Sequence, residues 1–242
     1  FLLLDEIKSD DAQDFIAGFP PHPHRGIETL TYMRKGGIQH EDHMGNTGEV
    51  LSGGVQWMRA GKGVIHGEMP LKEHDTMHGF QLWINLSRAD YRDVPKEEIP
   101  HVKSDDYLAH VIAGDWNLNG EAYKGPLDRL EAHASYLDLE LEAGGYFSHD
   151  IPEGHQVLVS VYDGDFISTG KDGADKPIYK SQVAQFSQDG QLVLKSNEGG
   201  KALILHGKPH KEPIANYGPF VMNTKEEIDQ AIQDYQNGVL TD

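Results

Sequence analysis

Two short motifs carry the side chains of this sequence that are best suited to chemistry. The first is His22-Pro23-His24 and the second is His66-Gly67-Glu68. Residues two apart in an extended strand point to the same face, so each motif would present two side chains in one direction. Pro23 favours extension of the residue before it and cannot donate to a sheet ladder, which predicts a strand start or edge.

Two such strands lying side by side would bring three imidazole nitrogens and one carboxylate oxygen to one point. That donor set suits a divalent transition metal such as Fe(II), Mn, Ni, Cu or Zn. Four protein ligands in octahedral geometry leave two positions for a substrate, dioxygen or water. Histidine pairs are also common on protein surfaces, so the metal hypothesis depends on the combination of the two motifs.

Glu28 is a rival for the fourth ligand position. It has the same sequence parity as His22 and His24, and a Glu four residues after a His-x-His motif is a general metal-site spacing. A hydrogen bond to a ligand is the alternative role for Glu28. The polar run from His40 to His43 has two interpretations, a solvated turn or the rim of a pocket.

Composition limits the possible chemistry. The chain has 242 residues and no Cys, which excludes disulfides, thiolate metal sites and Cys nucleophiles. A formal charge of −18 repels phosphate backbones, so direct nucleic-acid binding is not expected. No apolar run approaches the length of a membrane span, and no signal peptide is visible. The sequence opens on Phe1 rather than Met, and we expect that part of the natural N-terminus precedes it.

Short alternating segments separated by Gly-rich turns dominate the chain, as is typical of antiparallel strands. The regularity is interrupted between about Gly114 and Leu130, where we expect two domains to join. Thr224-Lys225-Glu226-Glu227 fits a capping box before a C-terminal helix of about Glu226 to Asn237, with Ile228, Ile232 and Tyr235 on its packed face. The predicted strands cover 29–33, 55–59, 64–69, 80–86, 137–141, 157–161, 191–194 and 202–206.

The two halves show a faint internal similarity. The strand that ends in His66-Gly67-Glu68 compares with one that ends in His206-Gly207-Lys208, which suggests duplication of one barrel. Lys208 would place a cation where the first copy has a carboxylate, and His149 and His155 are single. We therefore expect the second barrel to be metal-free and His206 to be a packed or hydrogen-bonded residue.

Four longer segments resemble the pirin family of the cupin superfamily, over nearly the whole chain. Pro21 and Gly67 depart from the residues frequent in that family, which are Asp and Ala. The segments are Phe19-Pro20-Pro21-His22-Pro23-His24-Arg25-Gly26-Ile27-Glu28-Thr29, 56–70, 81–86 and 218–224.

The resemblance implies an all-β bicupin of two antiparallel jelly-roll barrels with a short C-terminal helix. The corresponding domains are 1–115, which binds metal, and 116–242, which is metal-free and includes the helix. It also implies one metal ion per chain, Fe(II) in preference to Ni, Mn, Cu or Zn, and Glu68 rather than Glu28 as the fourth ligand. The implied metal ligands are His22, His24, His66 and Glu68, and the residues expected beside the site or its pocket are Glu28, His43, Gln56 and Met58.

The family resemblance favours a metal-dependent dioxygenase that cleaves quercetin-type flavonols, with Glu68 as both ligand and proton acceptor. The partners would be a small aromatic substrate and dioxygen, with neither nucleic acid nor membrane. A non-enzymatic iron or redox sensor that binds a protein partner is the alternative, and a bicupin with an idle site is a third. A cytoplasmic location is expected, or a nuclear one in a eukaryote.

Overall fold

A computed structural model describes residues 1–85, 90–128, 130–170, 173–186 and 190–242. The chain divides into two compact units, residues 1–98 with 211–242, and residues 99–210. Each unit is built mainly from antiparallel strands, which confirms the all-β prediction. No helix in the described ranges is long and apolar enough to cross a membrane.

The first unit has two main sheets, with strand orders β1-β8-β3-β6-β9 and β2-β7-β4-β5. A four-residue helix, α1 (Ala12–Phe15), and a 3-10 turn at Lys96–Glu98 complete the unit before the chain enters the second. The strands are β1 (Leu3–Ser9), β2 (Phe19–His24), β3 (Ile27–Lys35), β4 (Gly37–Asp42), β5 (Thr47–Leu51), β6 (Val55–Ala60), β7 (Val64–Pro70), β8 (Met77–Asn85) and β9 (Asp90–Val94).

The second unit has a main sheet in the order β10-β11-β14-β21-β16-β19 and a smaller one in the order β15-β20-β17-β18. A 3-10 turn at Glu131–His133 precedes β14. The strands are β10 (His101–Lys103), β11 (Tyr107–Ala113), β12 (Asp115–Leu118), β13 (Glu121–Lys124), β14 (Ser135–Leu141), β15 (Tyr146–Ile151), β16 (Gln156–Gly164), β17 (Phe166–Thr169), β18 (Asp175–Ile178), β19 (Val183–Phe186), β20 (Gly190–Lys195) and β21 (Gly200–Gly207).

The two units share one strand order. The orders β1-β8-β3-β6 and β2-β7-β4-β5 recur as β14-β21-β16-β19 and β15-β20-β17-β18, so every counterpart lies thirteen strands later. This repetition supports duplication of one barrel. It also corrects the predicted pairing of the two His-Gly motifs, because β21 with His206 corresponds to β8, and the counterpart of β7 is β20.

The stretch after Gly114 is not a connection between domains. It forms the β12–β13 hairpin of the second unit, and Trp116 and Leu118 lie in the core of that unit. The boundary falls instead near 98, and the chain returns to the first unit at 211. The division therefore differs from the one expected at residue 115.

The C-terminal region contributes β22 (Ala215–Tyr217), β23 (Phe220–Met222) and α2 (Lys225–Gln236) to the first unit. Thr224 and Glu227 form the predicted capping box. The helix buries Ile228 and Ala231, but Tyr235 is exposed, so its expected place on the packed face is wrong. Residue 86 ends the predicted strand 80–86, and residue 189 begins the Asp189-Gly190 turn that the sequence predicts before strand 191–194; both lie outside the described residues.

Candidate metal centre

The pairing of β2 with β7 brings the two histidine motifs together. His22 lies opposite His66, and His24 lies opposite Val64. The pairing register shifts between Phe19 and His22, where Pro20 and Pro21 cannot donate to the ladder. The prolines thus make β2 irregular at its start and regular at its two histidines.

The three imidazoles form one cluster. The ring centroid of His22 lies 4.7 Å from that of His24 and 4.6 Å from that of His66, and the His24 and His66 centroids are 5.1 Å apart. One nitrogen from each ring lies within 4.8 Å of the others. His24 and His66 are buried, and His22 is partly exposed. The cluster is therefore inside the barrel but reachable from one side.

Hydrogen bonds fix the orientation of two of the rings. Nδ1 of His22 donates to the Pro20 carbonyl at 2.8 Å, and Nδ1 of His24 donates to the Pro219 carbonyl at 3.3 Å. A carbonyl can only accept, so Nδ1 carries the proton and the lone pair of Nε2 is available to a metal.

His66 gives the strongest indication that the cluster binds a metal ion. It is 3% exposed, and neither of its ring nitrogens has a hydrogen-bond partner within the described part of the chain. A buried polar group without a partner is costly, and metal coordination would satisfy one of these nitrogens. The donor set of three imidazoles fits a divalent transition metal.

The buried environment keeps the clustered imidazoles in their neutral form, which can bind a metal ion, rather than in their protonated form. Burial lowers the pKa of His24 to about 4, with repulsion from His22 as a smaller cause. Burial lowers the pKa of His66 to about 2, and the neighbouring histidines add to the effect. Both rings are therefore neutral near pH 7, as metal binding requires.

Glu68 follows His66 on the same face of β7, but its carboxylate is not part of the three-histidine cluster. Thr31 donates to Oε1 at 3.3 Å, and the Gln81 amide donates to Oε2 at 3.4 Å. Burial raises the pKa of Glu68, and nearby His22 partly opposes that shift. Two hydrogen bonds from the facing sheet thus hold the Glu68 carboxylate beside the cluster.

Glu28 lies on the wrong face to be a ligand. Thr31 faces Glu68, so Glu28, an odd number of residues away on β3, points to the opposite side of that sheet. Its carboxylate accepts a hydrogen bond from Trp57 at 2.5 Å and lies 3.7 Å from the Arg59 guanidinium. The parity count fails because the chain turns at Gly26 and passes from one sheet to the other.

The other predicted pocket residues have three different environments. His43 is exposed and accepts a hydrogen bond from the Ile65 amide, so it lies at the rim of the cavity beside β7. Gln56 is fully buried opposite Thr31, and neither atom of its amide has a hydrogen-bond partner among the described residues. Met58 is fully buried and packs with Ile27 and Val64.

A pair that the sequence did not single out lies in the same barrel. His40 is buried opposite Glu68 on β4, and its Nε2 donates to the Asp93 carboxylate at 2.9 Å. Gly48 makes room for the pair, because a Cβ there would lie 2.2 Å from Asp93 and 2.4 Å from His40. His40 is therefore an interior residue and not part of a solvated turn, and its alternation with buried Ile38 was the available signal.

A cavity of about 380 Å³ lies next to β7, and His66 of the cluster and His40 are among the residues that line it. Its lining also includes Ile65, Gly67 and Met69, which alternate with His66 along β7. The cavity therefore reaches one of the three clustered imidazoles, that of His66.

The second unit fills the equivalent interior mainly with apolar side chains, but buried His149 of β15 also lies there, opposite Leu192. Leu192 and Leu194 lie on β20, the counterpart of β7, and Phe147 lies on β15, the counterpart of β2. Buried His206 has its Nδ1 3.0 Å from that of His155, as a hydrogen-bonded pair would. His206 also packs against Trp116.

Family comparisons agree with this architecture. Residues 1–84 match the family model described as Pirin, and residues 136–241 match the model described as the pirin C-terminal cupin domain. A protein of Pseudomonas aeruginosa provisionally named quercetin 2,3-dioxygenase is 45% identical over 248 residues, which cover 99% of this chain and 86% of the relative. Human pirin is 36% identical over 247 residues, which cover 98% of this chain and 81% of the relative.

A crystal structure of quercetin 2,3-dioxygenase from Acinetobacter baumannii aligns with a TM-score of 0.85 at 32% identity, and covers 100% of this chain and 86% of that chain. Two antiparallel barrels with one repeated strand order make this protein a bicupin. Within that class, the chain belongs to the pirin family, as its motifs predicted.

Proposed function

We propose that this pirin-family protein is a metal-dependent dioxygenase that cleaves quercetin-type flavonols. One divalent metal ion per chain would be bound by His22, His24, His66 and Glu68, with Fe(II) as the first candidate. The proposal rests chiefly on the buried three-imidazole cluster, in which His66 has no hydrogen-bond partner among the described residues. The quercetin 2,3-dioxygenase names of relatives that align over nearly the whole chain support the substrate class.

The metal would supply a Lewis acid with exchangeable positions. In a dioxygenase reaction the flavonol is oxidised and its ring opened, dioxygen is reduced, and both oxygen atoms enter the products, so no further reductant is required. The orientation of His22 and His24 by backbone carbonyls would keep the donor atoms in place during the reaction.

Glu68 is proposed as the fourth ligand and as the acceptor of the flavonol hydroxyl proton at a carboxylate oxygen. Its place on the same face as His66 supports both roles. The oxygen that is not engaged would then be held by its own donor, which is Thr31 for Oε1 and Gln81 for Oε2. The second unit is proposed to bind no metal, since Leu192 and Leu194 replace donors at the equivalent strand.

The test is aerobic consumption of quercetin by protein loaded separately with Fe(II), Ni(II), Mn(II), Cu(II) or Zn(II). Flavonol loss and dioxygen uptake should match one to one with at least one metal and be absent without metal. The His66→Leu variant serves as the inactive control. Metal binding without any consumption of quercetin or dioxygen would contradict the enzyme and favour a sensor that binds a protein partner.

A further inference from the structure

The last segment of the chain packs directly on the turn that follows the first two histidines. We call residues 215–242, which comprise β22, β23, α2 and the final residues, the C-terminal strap. The Val221 amide donates to the Arg25 carbonyl at 3.1 Å, and Phe220 bridges to Arg25. Gly26 has a φ of +82°, and a Cβ there would lie 1.8 Å from the Val221 carbonyl oxygen. The strap therefore fits closely against the end of β2.

Apolar packing joins the strap to the second ligand strand as well. Phe220, Ile228 and Leu240 form a buried cluster against which Ile65 of β7 packs. Val221 packs in another cluster with Met58 and Val64. Val64 and Ile65 immediately precede His66 on β7. The strap therefore contacts both β7 and the end of β2, the two strands that carry the histidines.

One strap atom contacts a proposed ligand directly. The Pro219 carbonyl accepts the Nδ1 hydrogen of His24 at 3.3 Å. That hydrogen bond selects the His24 tautomer and the direction of Nε2. Since a backbone carbonyl cannot be removed by changing a side chain, its position has to be tested through the residue that anchors the strap.

Arg25 is that anchor. Its Nη1 donates to Asp234 of α2 at 2.6 Å, its Nη2 donates to the Leu240 carbonyl at 2.8 Å, and its Nε donates to the Lys62 carbonyl. One planar guanidinium thus ties together the residue after His24, the turn before β7, the helix and the final residues. Arg25 and Asp234 are both largely shielded from solvent, at 15% and 20% side-chain exposure.

We propose that Arg25 is a positioning residue for the metal centre, because it fastens the C-terminal strap so that Pro219 orients His24. The strap belongs to the stretch matched by the C-terminal cupin domain model, yet it completes the site of the first unit. Metal affinity of the N-terminal site is thereby set by the C-terminal end of the chain. The inference rests on the proposed metal site.

The test compares Co(II) binding by the full-length wild type and the Arg25→Lys variant, with Arg92→Lys as a matched control. Arg92 also contacts a carboxylate at 2.6 Å, that of Glu98, but does so at the surface, away from the strap. Lysine keeps the charge and loses the fork of donors. We expect Arg25→Lys to bind Co(II) about 10–100-fold more weakly, as changes behind a metal ligand commonly do.

Two further readouts separate positioning from general destabilisation. At saturating Co(II), the visible absorption of Arg25→Lys should differ from that of the wild type, whereas Arg92→Lys should match it. In metal-free protein, the Val221 amide should exchange its hydrogen faster in Arg25→Lys. Asp234→Asn, which disturbs one contact of the anchor, should give a smaller loss of affinity in the same direction.

Wild-type affinity and an unchanged spectrum in Arg25→Lys would overturn the positioning role while leaving the metal centre intact. Equal losses of affinity in Arg25→Lys and Arg92→Lys would also overturn it. A wild type that binds no Co(II) would instead refute the metal centre itself, and the inference with it.

Discussion

The two barrels of this protein share one strand order but differ in the side chains that occupy equivalent inward positions. At the pairing of β2 with β7, the first unit places His22, His66 and Glu68 in its interior. At the equivalent pairing of β15 with β20, the second unit has Phe147 opposite Leu194 and a single histidine, His149, opposite Leu192. The same backbone arrangement therefore serves as a scaffold for donors in one copy and as a stabilising core in the other. Strand order determines where a site can lie, and a few inward residues decide whether it exists.

The largest expected effect comes from giving the first barrel the residue type of the second. His66→Leu imitates Leu192 or Leu194 of the counterpart strand. Metal affinity should fall by at least about 100-fold because a ligand is lost. The metal-free fold should be as stable as the wild type or more so, since a buried ring lacking partners among the described residues is replaced by an apolar side chain.

The measurements for His66→Leu are metal content by elemental analysis and thermal unfolding in the presence of a chelator. Metal retained at the wild-type level would show that His66 is not a ligand. A large loss of metal-free stability would show that the ring has a structural partner that the account omits.

Truncating the second core should affect stability and leave metal binding unchanged. Leu194 is fully buried among apolar neighbours, so Leu194→Ala should cost about 2–5 kcal/mol in the free energy of unfolding. Urea titration measures that cost, and metal content at a temperature where the variant is folded should equal that of the wild type. Loss of metal from folded Leu194→Ala would contradict the assignment of the site to the first unit alone.

The two buried glutamates of the first unit separate a proposed ligand from a structural residue. Glu68→Gln should weaken metal binding and abolish quercetin turnover, because the anionic ligand and the proposed proton acceptor are both lost. Glu28→Gln should retain the metal and lose about 1–3 kcal/mol of stability, since Glu28 accepts from Trp57 and lies beside Arg59. Metal affinity and urea titration of both variants form the comparison, and the reverse pattern would assign the fourth ligand to Glu28.

The last comparison concerns pH and the second unit. Burial lowers the pKa of His206 to about 3, so the unfolded chain binds this proton more readily than the folded one. Stability should therefore rise with pH between about 3 and 6.5, by up to about 1.4 kcal/mol per pH unit from this residue. His206→Gln should flatten the pH dependence of the free energy of unfolding, measured by urea titration between pH 4 and 6.5. An unchanged slope would mean that His206 is not the group responsible.

The sequence predicted the strands of the two barrels better than it predicted which segments belong to which barrel. Alternation and Gly-rich turns identified strands that agree with β3, β6, β7, β14, β16, β20 and β21. The capping box identified α2 because that signal is local. The placement of α2 in the first unit was missed, since it depends on contacts between Arg25 and residues more than 200 positions away.

The site shows the same division between local and distant information. Spacing within each motif was enough to group His22, His24 and His66, because residues two apart on a strand share a face. Parity gave the wrong face for Glu28, since the turn at Gly26 transfers the chain to another sheet. The His40–Asp93 pair and the Thr31 and Gln81 contacts join different sheets, and no spacing in the sequence reveals them.

Metal stoichiometry is the most direct test of the difference between the two barrels. Wild-type protein purified without added metal, and the same protein reloaded and freed of excess ion, would be analysed for metal per chain. The account predicts one tightly bound ion in the reloaded wild type and none in reloaded His66→Leu. Two tightly bound ions per chain, or one that persists in His66→Leu, would contradict a single centre in the first unit.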